Sequence, residues 1–319
     1  MPPPTDTPAT AWFEAFEPQH WEVNGTQIHA RVPRTPSDGR PVLLLLHGFP
    51  QSHVLWHRVV HALQDRFYVV LPDLRGYGDS AKPAGLPDHS NYSKRTLAQD
   101  MVALMDAMGV DQFHLCGHDR GGRVAHRLAV DHPARVQSLC VIDIAPTLDM
   151  YAATDFVFAQ AYYHWFHLTQ PSPLPETMIG GNPLAYLHAK LGGWGSAGLG
   201  YIEPAALAEY ERCFADPHTL HAMCEDYRAS ASIDLEHDRA SRALPGDLGK
   251  IACDTLVLWG ERGVVNRLFD PLTLWQAQCA ATVTGQRMPA GHFIPEELPQ
   301  ETATLLLDWV VQHVPTGAQ

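Results

Sequence analysis

The sequence has no surplus of positive charge to offer a polyanion. Its 22 lysines and arginines face 35 aspartates and glutamates, a formal charge of −13. Nucleic-acid affinity rests largely on Lys and Arg against phosphates, so the balance argues against that class of function. An anionic small molecule would have to be drawn in by a local basic site, not by the field of the whole protein. Cysteine is sparse: six residues, with no CxxC and no tight cluster. Cys116 and Cys140 sit in apolar, strand-like runs, which reads as buried, reduced thiols and a cytoplasmic location. No apolar run is long enough to span a membrane. The opening "MPPPTDTPAT" has neither a basic nor an apolar segment of the kind a signal peptide needs, so residues 1–19 are expected to be a flexible tail.

What is present suits a globular enzyme-sized core. The chain has 319 residues, 45% hydrophobic and 18% charged, which allows one large α/β domain or a core with an inserted subdomain. "HWEVNGTQIHARV" alternates around Asn24-Gly25, a hairpin signal. "PVLLLLHGFP" and "FYVVLPDL" read as buried parallel strands. A helical stretch lies between them, roughly Trp56 to Gln64, and an amphipathic helix runs from about Lys94 to Met108. "DQFHLCGHD" is a third parallel strand, "RVAHRLAVDHP" a helix, and "VQSLCVIDIAP" a fourth strand. The alternation implies right-handed crossovers and a doubly wound, mostly parallel sheet. It stops near Pro146. Residues 147–248 show helical patterns and no clear strand, then "DTLVLWG" and "ATVTGQRMPAGHF" resume the core. The expected organisation is a core over 20–146 and 249–319 with a helical cap inserted at 147–248.

One turn stands out because it lacks its usual residue. Gly117-His118-Asp119-Arg120-Gly121 has the G-x-nucleophile-x-G form of a sharp strand-to-helix elbow, which normally carries serine. Here the centre is Asp119. Serine attacking a saturated carbon would leave an ether, which water does not readily cleave. A carboxylate leaves an ester, which water can hydrolyse, and it is already ionised near neutral pH. The competing reading is that Asp119 only caps the next helix. Three further features fall at the carboxyl ends of strands, where open parallel sheets bind ligands. They are His47-Gly48-Phe49-Pro50, Asp143 and His292.

The order nucleophile, acid, histidine is that of the α/β-hydrolase triad, and from about residue 20 to 315 the chain resembles that superfamily. Within it, "GFPQS", "GHDRGGRVAHRLA", "DIAPT", "YYHWF", "HAMCEDYRA" and "GHF" resemble the haloacetate dehalogenases, including those acting on fluoroacetate. The resemblance implies an α/β-hydrolase fold and a cofactor-free hydrolysis of a short 2-haloacid. Asp119 would be the nucleophile and His292 the base that activates water. Asp143 would orient His292, with Glu261 and Asp270 as rival acids. The backbone N–H groups of Phe49 and Arg120 would form the oxyanion hole, and Trp194 is placed in the pocket on the resemblance alone.

Arg120 and Arg123 share one helix face beside the nucleophile. Two guanidiniums suit an anionic substrate, since they offset repulsion between two carboxylates and grip one of them. The alternative is that Arg123 pairs with a structural acid while Arg120 faces solvent. In the cap, His164, Trp165 and Tyr227 can donate hydrogen bonds to a departing halide, although such aromatic stripes also serve as packing. His164 and His167 could begin a metal site, but no third ligand has suitable spacing, so no metal is expected. The resemblance also brings the dimeric state common in the family. An epoxide hydrolase would use the same triad with cap tyrosines, for which Tyr162, Tyr163 and Tyr227 are candidates. A non-catalytic receptor for a small carboxylate is a third reading.

Overall fold

The computed structural model of the chain describes residues 12–35 and 39–314. Its centre is one sheet of eight strands: β1 (Phe16–Val23), β2 (Thr26–Pro33), β3 (Val42–Leu46), β4 (Tyr68–Pro72), β5 (Phe113–His118), β6 (Val136–Ile142), β7 (Thr255–Gly260) and β8 (Val283–Met288). The spatial order is β1-β2-β4-β3-β5-β6-β7-β8. From β4 to β8 every neighbouring pair is parallel, while β1 and β2 run antiparallel at one edge. The hairpin between β1 and β2 turns on Asn24 and Gly25, at φ 47° and 71°, the pair of positive φ angles that a type I′ turn requires.

The central strands are buried along their whole length because helices cover both faces. Val42 to Leu46 are all inaccessible or nearly so, as is each residue of β5. Helices Lys94–Ala107 and Arg120–Asp131 flank this part of the sheet. Eight helices, from Thr147–Ala152 to Ile233–Arg242, then intervene between β6 and β7. No strand interrupts them among the described residues. The longest, Pro217–Ser230, carries the cap groups that meet the strand ends.

Two expectations need correction. The tail expected over residues 1–19 is not a tail in its second half: Trp12 and Phe13 are buried in the core and β1 begins at Phe16. Residues 1–11 lie outside the described residues. The helix expected from Trp56 to Gln64 is instead a 3-10 turn, His53–Trp56, and a single α turn, Val60–Leu63. His57 Nδ1 donates to the Val54 carbonyl at 2.8 Å, and a side chain competing for a backbone acceptor breaks the helical ladder.

The elbow after β5 is built by close backbone approach. A Cβ at Gly117 would sit 2.4 Å from the Gly121 carbonyl oxygen, and one at Gly121 would sit 2.3 Å from that of His47. Both contacts are with backbone, which cannot swing aside. Gly121→Ala is therefore expected to destabilise the fold by about 1–3 kcal/mol through overpacking. Urea denaturation measures this, and an unchanged midpoint would mean that the strand beneath it yields.

Candidate active site

Asp119 stands at φ 48°, a conformation that costs a non-glycine residue on the order of 1–3 kcal/mol. It precedes the helix Arg120–Asp131, yet its side chain makes no capping bond there. Its Oδ1 instead accepts the Phe49 N–H at 2.9 Å, from the loop after β3. The helix-cap reading of Asp119 does not describe this side chain. Burial alone would raise the Asp119 carboxyl, but His292, Arg120 and Arg123 outweigh it and hold it below the ordinary value. The group is an anion with its charge confined to a dry site.

His292, in the loop after β8, lies with Nε2 3.9 Å from Asp119 Oδ2. Its Nδ1–H donates to Asp143 Oδ2 at 2.5 Å. Asp143, at the end of β6, also accepts the Gly260 N–H at 2.9 Å. Burial would depress the His292 imidazole, but the bond to Asp143 and its charge raise it above the usual value. The rival acids are elsewhere: Glu261 is exposed, and Asp270 caps the helix Pro271–Gln278. The His292 loop is held from two sides. His118 Nε2 donates to the His292 carbonyl at 2.9 Å, and the His292 N–H donates to the Trp194 carbonyl at 3.1 Å.

The two arginines differ from expectation in one respect. Arg120 neither faces solvent nor is wholly free for a ligand. Its Nε donates to Asp226 Oδ2 at 2.7 Å and its Nη2 to the Asp226 carbonyl at 2.9 Å and to Ser230 Oγ. Asp226 also accepts the Tyr77 hydroxyl at 2.9 Å and the Lys94 ammonium. Only Nη1 of Arg120 is buried with no partner. Arg123 has no carboxylate partner among the described residues. Its Nη1 donates to the Ala145 carbonyl and Thr147 Oγ1 at 3.1 and 2.9 Å, and its Nε has no partner. The structural acid foreseen for Arg123 thus belongs to Arg120. Arg127, further along the same helix, pairs with Asp131 and Asp238.

Aromatic rings close the site from the cap. Phe49 stacks on His164 at 5.9 Å and meets the Tyr227 edge at 5.4 Å. Trp194 lies 4.6 Å from His164 and 5.1 Å from His292. The Arg120 guanidinium sits 4.2 Å above Tyr227, and that of Arg123 sits 4.8 Å above Trp165. Tyr162 stacks on Trp165 at 5.7 Å. His164 is pushed well below its ordinary value by burial and neighbouring cations, so it is neutral. Burial and the nearby Asp119 charge raise Tyr227 well above its own, so its hydroxyl keeps its proton. The Tyr227 hydroxyl and His164 Nδ1 are buried without a partner, as is His292 Nε2. Among the described residues no hydrogen bond uses Trp165 Nε1.

Five unpartnered polar atoms therefore surround one carboxylate: Arg120 Nη1, Arg123 Nε, His164 Nδ1, Tyr227 Oη and His292 Nε2. Buried polar atoms are nearly always bonded, so such a cluster marks a place where a polar ligand supplies the partners. His164 and His167 do not form a metal cluster. The one group of possible metal ligands among the described residues is His29, His53 and Asp73, outside this site, where Asp73 already accepts both imidazoles at 2.8 and 2.9 Å. The sequence reading missed Asp226, Lys94, Tyr77 and Ser230. The available signal was "EDYRA", in which an acid precedes Tyr227 and lies four residues before Ser230, on the same helix face.

A family model described as alpha/beta hydrolase fold matches residues 41–298. A fluoroacetate dehalogenase from Burkholderia sp is 43% identical over 299 residues, covering 93% of this chain and 95% of the relative. A soluble epoxide hydrolase from Corynebacterium sp. (strain C12) is 31% identical, covering 87% and 91%. The solved structure of a candidate alpha/beta hydrolase from Nostoc sp PCC 7120 superimposes with a TM-score of 0.88 at 50% identity, covering 93% of this chain and 99% of that one.

Asp226→Asn is expected to lower stability by about 3–5 kcal/mol, because it leaves Arg120 buried without a counter-charge and Lys94 with only Asp234, at 3.7 Å. Denaturant unfolding reads this directly. A loss below about 1 kcal/mol would mean that solvent or rearrangement neutralises both cations.

Proposed function

The chain belongs to the α/β-hydrolase family, and on that premise we propose that it is a dehalogenase that converts a haloacetate into glycolate and halide. The observation that carries the reading is the ring of unpartnered polar atoms around Asp119. Two of them come from guanidiniums, which a neutral substrate has no use for. The Burkholderia relative bears the name fluoroacetate dehalogenase, which supports the same reading.

In the first step an Asp119 oxygen attacks the saturated carbon that bears the halogen. The carbon–halogen bond breaks, its electron pair leaves with the halide, and an ester joins Asp119 to the acid. Arg123 Nε and Arg120 Nη1 bind the substrate carboxylate and lessen its repulsion from the nucleophile. Tyr227, His164 and Trp165 donate to the halide as its charge develops, where such bonds accelerate the reaction. In the second step His292 Nε2 takes a proton from water, whose oxygen attacks the ester carbonyl. The Phe49 N–H, already on Asp119 Oδ1, receives the negative charge of that intermediate. On collapse the bond between the former ester carbonyl carbon and the glycolyl oxygen breaks, the attacking hydroxyl's proton passes to that oxygen to give glycolate, Asp119 is left as a carboxylate, and the proton held by His292 leaves to solvent.

A second reading is epoxide hydrolysis by the same triad. It is favoured by the identity to the Corynebacterium enzyme and by Tyr162 and Tyr227, both buried near Asp119. Tyr163 is half-exposed and stacks against Lys190, so it is not part of that pair. Free halide from chloroacetate, measured against diol from styrene oxide, separates the two readings.

A single turnover in ¹⁸O-water with enzyme in excess should put the label on Asp119 and leave the glycolate unlabelled. His292→Asn should release up to one halide per site and stop as an ester visible by intact mass. Label going directly into glycolate would eliminate covalent catalysis.

The halogen is tested through the cap. Fluoride is small and gains most from hydrogen bonding, so Tyr227→Phe should slow fluoroacetate more than bromoacetate. One lost bond to a developing anion costs about 1.5–3 kcal/mol, roughly ten- to a hundredfold in rate. The comparison is kcat/KM for both substrates with chemistry rate-limiting. Equal losses would make Tyr227 a packing residue.

A further inference from the structure

Lys190 is a buried cation to which the reaction above gives no task. It closes the helix Pro183–Leu191 and is 4% exposed. No hydrogen bond and no ion pair reaches its ammonium among the described residues. Three rings do. Nζ lies 3.7 Å from the centroid of Tyr163, 5.1 Å from that of Tyr186 and 5.6 Å from that of Trp194. Aromatic faces hold a cation without neutralising it, so the charge remains available.

The same rings link two places. Tyr163 and Tyr186, with His167, Met178, Ile179 and Asn182, line a groove of about 400 Å³ on the cap. Its rim is open to solvent, with Tyr163 46% and Met178 63% exposed. Trp194 is a wall of the reaction site, in ring contact with His164 and His292. Both ring nitrogens of His167, in the groove, are buried with no partner. One uncompensated cation thus stands behind a surface groove and beside the site that the groove adjoins.

Resting on the dehalogenase reading, we propose that this groove is an outer binding station for the substrate carboxylate, held there by His167 and by the field of Lys190 behind the tyrosine rings before it passes to the two arginines. A protein of charge −13 repels small anions at a distance, and a desolvated ammonium behind a groove reverses the field locally. The groups facing Lys190 are Tyr163, His164 and His167 from one cap helix, Tyr186 from its own, and the neutral ring of Trp194. No carboxylate is within ion-pair distance among the described residues. Burial pushes the Lys190 ammonium down to about 8. It also suppresses charge on His164 and His167, which the ammonium lowers further. Below that pH Lys190 is charged and the station works. As pH rises through it the charge is lost, and capture weakens.

The test compares wild type with Lys190→Met and Lys190→Arg on chloroacetate. Lys190→Met should lower kcat/KM about tenfold while kcat stays within twofold, since chemistry at Asp119 is untouched. The fall of kcat/KM near pH 8 should vanish in Lys190→Met. Lys190→Arg should restore most of the loss and carry the charge to higher pH. Equal falls in kcat and kcat/KM, or an arginine variant as poor as methionine, would make Lys190 a packing residue and overturn the proposal. Crystals soaked in sodium bromide give a readout without turnover: an anomalous peak in the groove of wild type, absent in Lys190→Met. No peak in wild type overturns the station. A peak in both proteins marks an adventitious ion only and overturns it as well. If wild type releases no halide from chloroacetate, the dehalogenase reading fails, and the bromide peak still decides the anion site.

Discussion

The carboxylate of Asp226 is the contact on which the reaction site depends. It comes from the cap, and the groups it gathers come from the core: Arg120 beside Asp119, Lys94 at the start of a flanking helix, and Tyr77 in the loop after β4. All are buried. Removing such charges from water is expensive, and the expense is met only when geometry and additional hydrogen bonds are complete. The arrangement is therefore close to all-or-none. With the cap seated, Arg120 is fixed by three bonds and keeps only Nη1 without a partner. With the cap displaced, the guanidinium loses the acid that orients it, and Tyr227, the residue next to Asp226, leaves with it. Seating the cap and aiming the arginine are one event.

The electrostatics of the site follow from that arrangement. An acidic protein places the Asp119 carboxylate in a dry pocket and surrounds it with positive charge that is only partly spoken for. Asp226 takes up much of the Arg120 charge, while Arg123 rests on carbonyl, hydroxyl and sulfur acceptors. The less neutralised of the two is thus Arg123. The pair is not two equal claws: Arg120 is a fixed donor locked to the cap, and Arg123 carries the fuller cationic field toward the ligand. His292 sits opposite, with its proton relationship to Asp143 settled by a short bond.

Much of this was legible in the sequence because strand ends and elbows have local signatures. The alternation of apolar runs and helices located every strand of the sheet, and the glycines around Asp119 marked the elbow. The acid paired with His292 was less legible. Asp143 and its rivals follow successive strands, and nothing local distinguishes them until β6 and β7 lie side by side. Asp226 was missed for a similar reason. Its partner Arg120 is 106 residues away, and a helical cap has no periodic signal for where its inner face lands. The burial of Trp12 and Phe13 was hidden by the polar, proline-rich stretch before them. Lys190 could not be recognised from its own segment, since a lysine near a helix end ordinarily points to water, and only the three rings from separate positions take it inside.

The insertion of the cap between β6 and β7 also orders events in time. Asp143 and His292 are 149 residues apart, and the strand that brings Asp143 its Gly260 partner cannot dock until the eight cap helices have been made. Contacts so distant in the chain carry a large closure entropy and form late. A chain leaving the ribosome exposes Asp119 and its elbow early and His292 near the end. A species that had folded only its first half would hold Asp119 without the histidine that faces it. Arg120 likewise gains the acid that fixes it only when the cap arrives, so the pocket around Asp119 is completed in two late steps, first by the cap and then by β7 and β8.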